Sequence, residues 1–378
     1  MEVKNITVVG SGFMGSGIAY VASMANYNVI INDMSQQFIN KGLKQIKNDI
    51  LIGIDKGKLS PKEGKTILQR VKGEVELETA LKDADLVIEA VFEKMELKKE
   101  LFAKFCNHVP EHAILASNTS TLSITEIASV TDRPEKVVGM HFFSPVAAMK
   151  LLEIVKGEKT SEETIAAAKE VGEKVGKTTV IAKDGPGFIV NRILVPIGND
   201  VIRMFEERVA NMETIDKLAM ESGLFPLGSF ALFDFVGLDV AYHSAIGVSS
   251  KLGPLYEPAD LLEKTVKAGN YGNKTGSGLL DQDEQFQMSR PAEYISNRNL
   301  AVIINEACKC HGDENIASIE DINLGMKLGA NWSKGPFEIG KEFGFQKAIN
   351  VLEELQKEHE SRSEFYAPSE TLRRLAQS

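Results

Sequence analysis

The 378-residue sequence predicts an α/β domain built on a doubly wound sheet, followed by two copies of an all-helical domain. Up to residue 183, short apolar runs of strand length alternate with helical patterns. From Phe188 onward the strand patterns nearly vanish, and a set of landmarks recurs after roughly 107 residues. These observations carry the prediction.

The N-terminal pattern is a strand, a glycine turn, a helix and a second strand. An apolar run over 3–9 leads into G-x-G-x-x-G, a helical pattern follows, and a second run ends at Asp33. This order predicts a Rossmann-type βαβ unit. Further apolar runs continue the sheet at 85–91, 113–117, 136–143, 151–155 and 178–183.

The glycine loop predicts a dinucleotide-binding site. Gly10 permits the tight turn, Gly12 lets the backbone approach a pyrophosphate, and Gly15 allows the helix to pack closely on the strand. The helix N-terminus then offers free N–H groups to the phosphates. Phe13 and Met14, between the glycines, belong to the same predicted cofactor site.

Asp33 indicates which dinucleotide binds. A carboxylate at the end of the second strand accepts hydrogen bonds from both ribose hydroxyls and repels a 2′-phosphate. The sequence therefore predicts NAD. Two alternatives remain at this point: FAD or another adenosine ligand, and glycines that serve only a tight turn.

Residues 36–72 predict a lysine-rich helical excursion with a break at Gly57 and a restart near Ser60 and Pro61. The clearest linker is Asp184-Gly185-Pro186-Gly187.

From this linker and the repeat we predict a dinucleotide-binding domain over 1–184, a helical domain over 185–285, and a partial second copy over 286–378. The matched landmarks are Asn191-Arg192 with Asn297-Arg298, Phe225-Pro226 with Trp332-Ser333, Phe235-Val236-Gly237 with Glu342-Phe343-Gly344, and Tyr256-Glu257-Pro258 with Tyr366-Ala367-Pro368.

Composition excludes several classes of protein. A net charge of −10 argues against a nucleic-acid partner, and no apolar run approaches the length of a membrane span. Three cysteines fit a reducing compartment, so we predict a soluble, cytoplasmic protein. We predict no metal site, because Cys308 with Cys310, and His108 with His112, lack further ligands in a recognisable spacing.

His141 and Glu153 are the strongest candidates for chemistry. His141 ends an apolar run at the carboxyl edge of the predicted sheet, where ligands bind in open α/β folds. Glu153 lies inside the next apolar run, where an acid is unfavourable unless it is paired. A histidine with a partner carboxylate suits a general base. By pattern alone, a catalytic pair and a structural polar pair remain equally open.

With these residues in view, the sequence resembles the L-3-hydroxyacyl-CoA dehydrogenase family. The motifs stand in unbroken order from the glycine loop to about residue 280, and the repeat extends the likeness to the C-terminus. They are His141-Phe142-Phe143-Ser144-Pro145 through Met149-Lys150-Leu151-Leu152-Glu153, Ser117-Asn118-Thr119-Ser120, and Asp184-Gly185-Pro186-Gly187-Phe188-Ile189-Val190-Asn191-Arg192.

The resemblance implies roles for the candidate catalytic residues. His141 would take the proton of the substrate 3-hydroxyl, and Glu153 would orient and polarise the histidine. Ser120 would hydrogen-bond the substrate oxygen, and Asn191 would reach the substrate from the helical domain.

The same resemblance implies further binding residues. Glu93 and Asn118 fall at the cofactor site, with Glu93 near its nicotinamide end; a solvated acid at a helix start is the alternative for Glu93. The lysine-rich excursion corresponds to the hairpin that carries coenzyme A, and Lys56 and Lys58 are its named candidates. A solvated charged face is an equal alternative for each lysine.

Two residues depart from the family pattern. Ser144 and Lys94 stand where the family usually has asparagine. The first bears on the loop beside the histidine and the second on the edge of the cofactor site. The duplicated helical domain is also unlike single-copy relatives.

Together these features predict an NAD-dependent (3S)-3-hydroxyacyl-CoA dehydrogenase that interconverts 3-hydroxyacyl-CoA and 3-ketoacyl-CoA in β-oxidation or short-chain hydroxyacyl-CoA metabolism. The alternatives are a related hydroxy-acid or sugar-acid dehydrogenase that does not use CoA, and an inactive NAD-binding subunit. The duplication predicts an intrachain pseudo-dimer of helical domains in a monomer or homodimer.

Overall fold

The computed structural model describes residues 2–377 and divides into two compact units, the first ending at Asp184 and the second beginning at Gly185. The first unit is built on one eight-stranded sheet. In chain order its elements are β1 (Asn5–Val9), α1 (Phe13–Met24), β2 (Asn28–Asn32), α2 (Gln36–Asp55), α3 (Pro61–Gln69), β3 (Val71–Glu74), α4 (Leu77–Leu81), β4 (Leu86–Glu89), α5 (Met95–Cys106), β5 (Ile114–Ser117), α6 (Ile124–Ala128), β6 (Val137–Phe142), β7 (Leu151–Lys156), α7 (Glu162–Lys174) and β8 (Thr178–Lys183).

The strand order is β3-β2-β1-β4-β5-β6-β7-β8. Neighbouring strands are parallel, except that β6 and β7 are antiparallel. Every residue of β4, β5 and β6 is buried, which explains why these strands read as continuous apolar runs. The predicted doubly wound sheet is confirmed, and its order reverses between β1 and β4, where open α/β sheets bind ligands.

The predicted helical excursion over 36–72 is wrong at its end. Its last two residues belong to β3, which pairs with β2 at the edge of the sheet. Only Val71 of this four-residue strand is buried, and Lys72 and Gly73 are exposed. A short edge strand of this kind lacks the apolar alternation that identifies a strand in sequence.

The restart of the excursion at Ser60 is confirmed. The Ser60 hydroxyl accepts a hydrogen bond from the Glu63 backbone N–H, and the Glu63 carboxylate accepts one from the Ser60 N–H. This capping box begins α3 at Pro61. Gly57, with a φ of +66°, lies in the turn that separates α2 from α3.

The second unit contains no strand between Gly185 and Gln377. Its helices are α8 (Val190–Glu206), α9 (Met212–Glu221), α10 (Ser229–Val236), α11 (Leu238–Leu252), α12 (Asp260–Lys267), α13 (Ala292–Cys308), α14 (Ile319–Gly329), α15 (Pro336–Phe343), α16 (Phe345–Glu358) and α17 (Glu370–Ala376).

The helices α8 to α12 correspond in order to α13 to α17. Equivalent residues make equivalent contacts: the side-chain oxygen of Asn199 accepts a hydrogen bond from the Ala259 N–H, and that of Asn305 accepts one from the Ser369 N–H. Both asparagines are buried. The second unit therefore repeats one structural motif, as the predicted two copies require.

Two buried arginines link the copies in a reciprocal way. Arg192 of the first copy lies 2.5 Å from Glu306 and 2.9 Å from Glu314 of the second. Arg298, its equivalent, lies 2.9 Å from Asp200 and forms a further ion pair with Glu207. Both arginines are fully buried. A fully buried charge requires a partner of opposite sign, so these contacts tie the copies to each other.

Among residues 2–377, no single helix is both long and apolar enough to cross a membrane. One pair, α10 with α11, passes that test when combined, but the two helices meet at a 103° bend.

Candidate active site

The glycine loop joins β1 to α1. Gly10 has a φ of +103°, and a Cβ there would lie 2.5 Å from the Ala90 carbonyl oxygen. A Cβ on Gly15 would lie 1.8 Å from the Gly10 carbonyl oxygen. The protein's own packing therefore requires both glycines. No atom lies within 4 Å of a Cβ placed on Gly12, so the space beside that residue is open.

Asp33 lies next to this loop, directly after β2. Its Oδ2 accepts hydrogen bonds from the Ser11 backbone N–H at 2.8 Å and the Ser11 hydroxyl at 2.7 Å, and its Oδ1 accepts one from the Met34 N–H. Phe13 begins α1 and is 60% exposed, whereas Met14 packs partly against the core. The structure thus brings the acid and the loop together.

His141 and Glu153 face each other across the antiparallel pair β6 and β7. Nδ1 of His141 lies 2.6 Å from Oε2 of Glu153, and both side chains are buried. Directly opposite residues of an antiparallel pair project to the same face, which is how two apolar strands bring these polar groups together. The Phe143 ring packs against the imidazole, with centroids 4.5 Å apart.

Glu93 holds the loop that contains Ser120. Its Oε1 accepts hydrogen bonds from the Thr119 hydroxyl at 2.6 Å and from the Ser120 backbone N–H at 2.8 Å. Burial alone would raise the pKa of the Glu93 carboxyl, but Lys98 and these hydrogen bonds outweigh burial and leave that pKa below its usual value. The Glu93 side chain is 37% exposed, and its carboxylate is hydrogen-bonded to this loop; its part in cofactor binding stays a prediction.

A buried ion pair below this loop was missed by the sequence reasoning. Lys98 Nζ lies 2.7 Å from Oε1 of Glu89 and 3.2 Å from Oε2 of Glu93. Glu89 also accepts hydrogen bonds from the Ser117 hydroxyl and the Val91 N–H. Glu89 could have been found as Glu153 was, because it is an acid inside an apolar run. Nothing in the sequence distinguishes Lys98 from the other lysines of its helix.

Asn118 joins the ends of two neighbouring strands. Its side-chain oxygen accepts a hydrogen bond of 2.9 Å from the Phe142 N–H, one residue after His141. The amide oxygen therefore has a structural contact, and a part in cofactor binding stays a prediction.

Lys177 was also missed. It precedes β8 and donates hydrogen bonds to the carbonyl oxygens of Val146 and Met149, in the segment between β6 and β7. Burial lowers the pKa of Lys177 to about 8. The segment that follows His141 is thereby held from a position far along the chain.

The structure also places the remaining residues that the sequence analysis named. Lys56 and Lys58 are exposed at the end of α2 and in the turn after it. Lys94 is the N-cap residue of α5, and Ser144 lies in the segment after β6. Asn191 lies in the first turn of α8, in the second unit.

Among residues 2–377, no group of three or more His, Cys, Asp or Glu side chains is arranged so that it could hold a metal ion. His112 instead lies 2.8 Å from Asp85. Burial, followed by the charge of Asp313, raises the pKa of the Cys308 thiol to about 12. A thiol with so high a pKa is a poor metal ligand at neutral pH.

Two family models match almost the whole chain. The 3-hydroxyacyl-CoA dehydrogenase NAD binding domain matches residues 5–185, and the 3-hydroxyacyl-CoA dehydrogenase C-terminal domain matches 187–282 and again 294–378. The chain belongs to the 3-hydroxyacyl-CoA dehydrogenase family. It is an enzyme of that family, and the predictions of NAD as cofactor and of the family itself are confirmed.

Individual relatives agree with this assignment. A probable 3-hydroxybutyryl-CoA dehydrogenase of Bacillus subtilis is 44% identical over 75% of this chain and 99% of its own length. The fatty acid oxidation complex subunit alpha of Idiomarina loihiensis is 30% identical over 99% of this chain and 55% of its own length. A crystal structure of 3-hydroxybutyryl-CoA dehydrogenase from Escherichia coli K12 covers the whole chain and 99% of its own, with a TM-score of 0.91 and 28% identity.

Proposed function

We propose that this chain is a (3S)-3-hydroxyacyl-CoA dehydrogenase in which the His141–Glu153 pair moves the proton. The observation that carries the proposal is the 2.6 Å contact between Nδ1 of His141 and Oε2 of Glu153, in buried surroundings. A carboxylate on one ring nitrogen fixes the tautomer and stabilises the protonated ring. Nε2 then takes the proton of the 3-hydroxyl as the C–H bond at C3 breaks, and it returns a proton in the reverse direction.

Two further residues bind the reacting oxygen in this proposal. Ser120 donates to the substrate oxygen from a loop that Glu93 already holds through the Ser120 N–H. Asn191 donates to the same substrate from the first turn of α8. Donors aimed at the oxygen stabilise the charge that develops there.

The residues of the glycine loop fit NAD. The open space beside Gly12 leaves room for a pyrophosphate, and the Asp33 carboxylate at the end of β2 suits a ribose. We assign Gly10, Gly12, Phe13, Met14, Gly15, Asp33, Glu93 and Asn118 to this site. NAD, when bound, supplies the acceptor for the hydride that leaves C3.

The coenzyme A part of the substrate is assigned to the hairpin of α2 and α3. Lys56 and Lys58 are exposed there and suit the phosphates. The enzyme would act in β-oxidation or in short-chain hydroxyacyl-CoA metabolism. A cytoplasmic location stays a prediction from the three cysteines.

The helical copies over 185–285 and 286–378 are proposed to form an intrachain pseudo-dimer. The reciprocal contacts of Arg192 and Arg298 support it, because a two-fold interface repeats each contact with the partners exchanged. The full chain would then need no second chain to cover this surface.

Reduction of acetoacetyl-CoA, followed by NADH absorbance, tests the function directly. We expect turnover with NADH and a much weaker rate with NADPH, since Asp33 repels a 2′-phosphate. The absence of turnover with every 3-ketoacyl-CoA from C4 to C16 would reject the proposal. Turnover of a free hydroxy acid at rates equal to those of its CoA ester would reject the assignment of CoA.

A further inference from the structure

The second unit contains an apolar pocket that none of the roles above accounts for. We call it the helical pocket; its volume is about 140 Å³, and Leu194, Gly198, Phe225, Leu232, Phe233 and Trp332 line it. An engineered apolar cavity of about 150 Å³ in another protein holds one benzene molecule, so this pocket has room for roughly six carbon atoms. Asn191 belongs to the same lining.

Small side chains line this pocket in the first copy, and larger ones occupy the equivalent positions of the second. Four of them line it: Gly198, Ala219, Ser244 and Ala245. The equivalent positions of the second copy hold Ile304, Met326, Val351 and Leu352. Ile304, Met326 and Leu352 are almost fully buried, so larger side chains fill this space there. The pocket is thus not a by-product of the repeated motif.

Two aromatic contacts shape its walls. The Phe233 ring lies against α8, where a Cβ on Gly198 would come within 2.2 Å of Phe233 Cζ. Trp332, from the second copy, packs edge-on against Phe225, with ring centroids 5.1 Å apart. The second copy therefore supplies part of the pocket wall.

A polar atom marks one part of the lining. The side-chain oxygen of Asn299 is buried and has no hydrogen-bond partner within the protein. Arg192 contacts Glu306 and Asp200 contacts Arg298, so α8 and α13 are antiparallel and Asn299 is level with Asn199. Eight residues of helix separate Asn191 from Asn199, a distance of about 12 Å.

We infer that the helical pocket receives the hydrocarbon tail of the acyl thioester, and that Asn299 and Trp332 limit the length of that tail. The inference rests on the proposed function, which assigns Asn191 to the reacting end of the substrate. A tail of about six carbons fills the pocket beyond C3. A longer tail displaces water from Asn299 and leaves its amide oxygen without a donor, which is unfavourable in an apolar site.

Fluorescence tests the occupant without turnover, because Trp332 is the only tryptophan of the chain. The enzyme is titrated with free coenzyme A, butanoyl-CoA and octanoyl-CoA, none of which is oxidised at C3. We expect octanoyl-CoA to shift the emission, butanoyl-CoA to shift it less, and free coenzyme A to leave it unchanged after correction for absorbance. The same response to all three would overturn the inference.

Two variants test the limit on length. Gly198→Ala pushes the Phe233 ring into the pocket, because the new Cβ would come within 2.2 Å of that ring. If the pocket then holds two fewer methylene groups of the acyl tail, kcat/KM for C8 relative to C4 should fall about tenfold. Asn299→Leu removes the unpaired amide and should raise kcat/KM for C12 relative to C4. Phe235→Leu is the control, because Phe235 is 68% exposed and outside the lining.

The outcomes separate the two proposals. Chain-length ratios equal to wild type in both folded variants overturn the inference while the dehydrogenase function stands. An enzyme that turns over no acyl-CoA overturns the proposed function, and the fluorescence titration then still decides whether the pocket binds an acyl chain. Circular dichroism of each variant shows whether it is folded.

Discussion

Lys98 and Glu89 form an ion pair inside the first unit, with Nζ 2.7 Å from Oε1 and both side chains at most 1% exposed. The same ammonium group lies 3.2 Å from Glu93, whose other oxygen accepts the Ser120 N–H. The loop with the proposed substrate-binding serine is therefore tied to a buried charge. A buried pair of this kind is costly to break on one side, because the remaining charge has no compensation.

The first prediction concerns this pair. Lys98→Met should lower the free energy of unfolding by about 3–5 kcal/mol, because it leaves Glu89 buried without a cation. Lys99→Met is the matched control: Lys99 is 31% exposed and pairs with Glu126, so its loss should cost at most about 1 kcal/mol. Urea unfolding of both variants measures the difference, and equal effects would contradict the argument.

The second prediction concerns His141. His141→Gln should lower kcat for acetoacetyl-CoA reduction by about 10²–10⁴-fold, which is the usual contribution of a general base or acid. NADH binding, measured by fluorescence, should stay near the wild-type value. Glu153→Gln, which keeps a hydrogen-bonding partner but removes the charge, should have a smaller effect. A wild-type rate for His141→Gln would reject the assignment.

The third prediction concerns Asp33. Asp33→Ala should weaken NAD binding by tenfold or more, since a hydrogen bond to a charged group contributes roughly 1.5–3 kcal/mol. The Asp33 carboxylate also accepts two hydrogen bonds from Ser11, so part of the loss could come from a loosened loop. Ser11→Ala, which removes only the hydroxyl contact, separates these causes. Binding of octanoyl-CoA should be unaffected, and a parallel loss there would show general unfolding.

The fourth prediction is a dependence of stability on pH. The pKa of Lys177 is about 8 in the folded protein, below the ordinary 10.5 of the unfolded chain. Between these values the unfolded state binds more protons, so stability rises with pH from about 8 to about 10.5. The contribution of the neutral Lys177 to stability is lost as the pH falls through about 8.

Comparison with Lys177→Met isolates that contribution. The difference in unfolding free energy between wild type and Lys177→Met should change in favour of wild type across this interval. Lys169→Met, at a half-exposed position, supplies the control, and its stability should follow the wild-type curve. A pH-independent difference for Lys177→Met would show that the lysine titrates normally.

The fifth prediction concerns the pseudo-dimer. Arg298→Met leaves the buried Asp200 with only the more distant Arg362, at 3.8 Å, as a cation and should lower the free energy of unfolding by about 3 kcal/mol or more. Arg208→Met, at a position 61% exposed, should change it little. Sedimentation should give the mass of one chain for the wild type. A stable dimer of two chains whose interface is formed by α8 and α13 would contradict the intrachain arrangement.

The sequence alone was sufficient to predict the order of strands and helices apart from β3, the glycine loop with Asp33, the repeat, and the pairing of His141 with Glu153. Each of these is a local pattern or an acid placed in an apolar run, and such patterns record burial directly. Only the tertiary structure decided the edge strand at Val71, because its polar residues carry no strand signal.

The tertiary structure also decided which distant charges meet. Each arginine meets the carboxylates of the other copy through packing of elements far apart in the chain, and so does Lys177 with the carbonyl groups after β6. Lys98 and Glu89 are only 9 residues apart, but the turn from β4 into α5 decides that their side chains meet. A lysine or arginine looks the same in sequence whether it faces water or a buried carboxylate. The difference is desolvation, which depends on the neighbours that the fold brings to it.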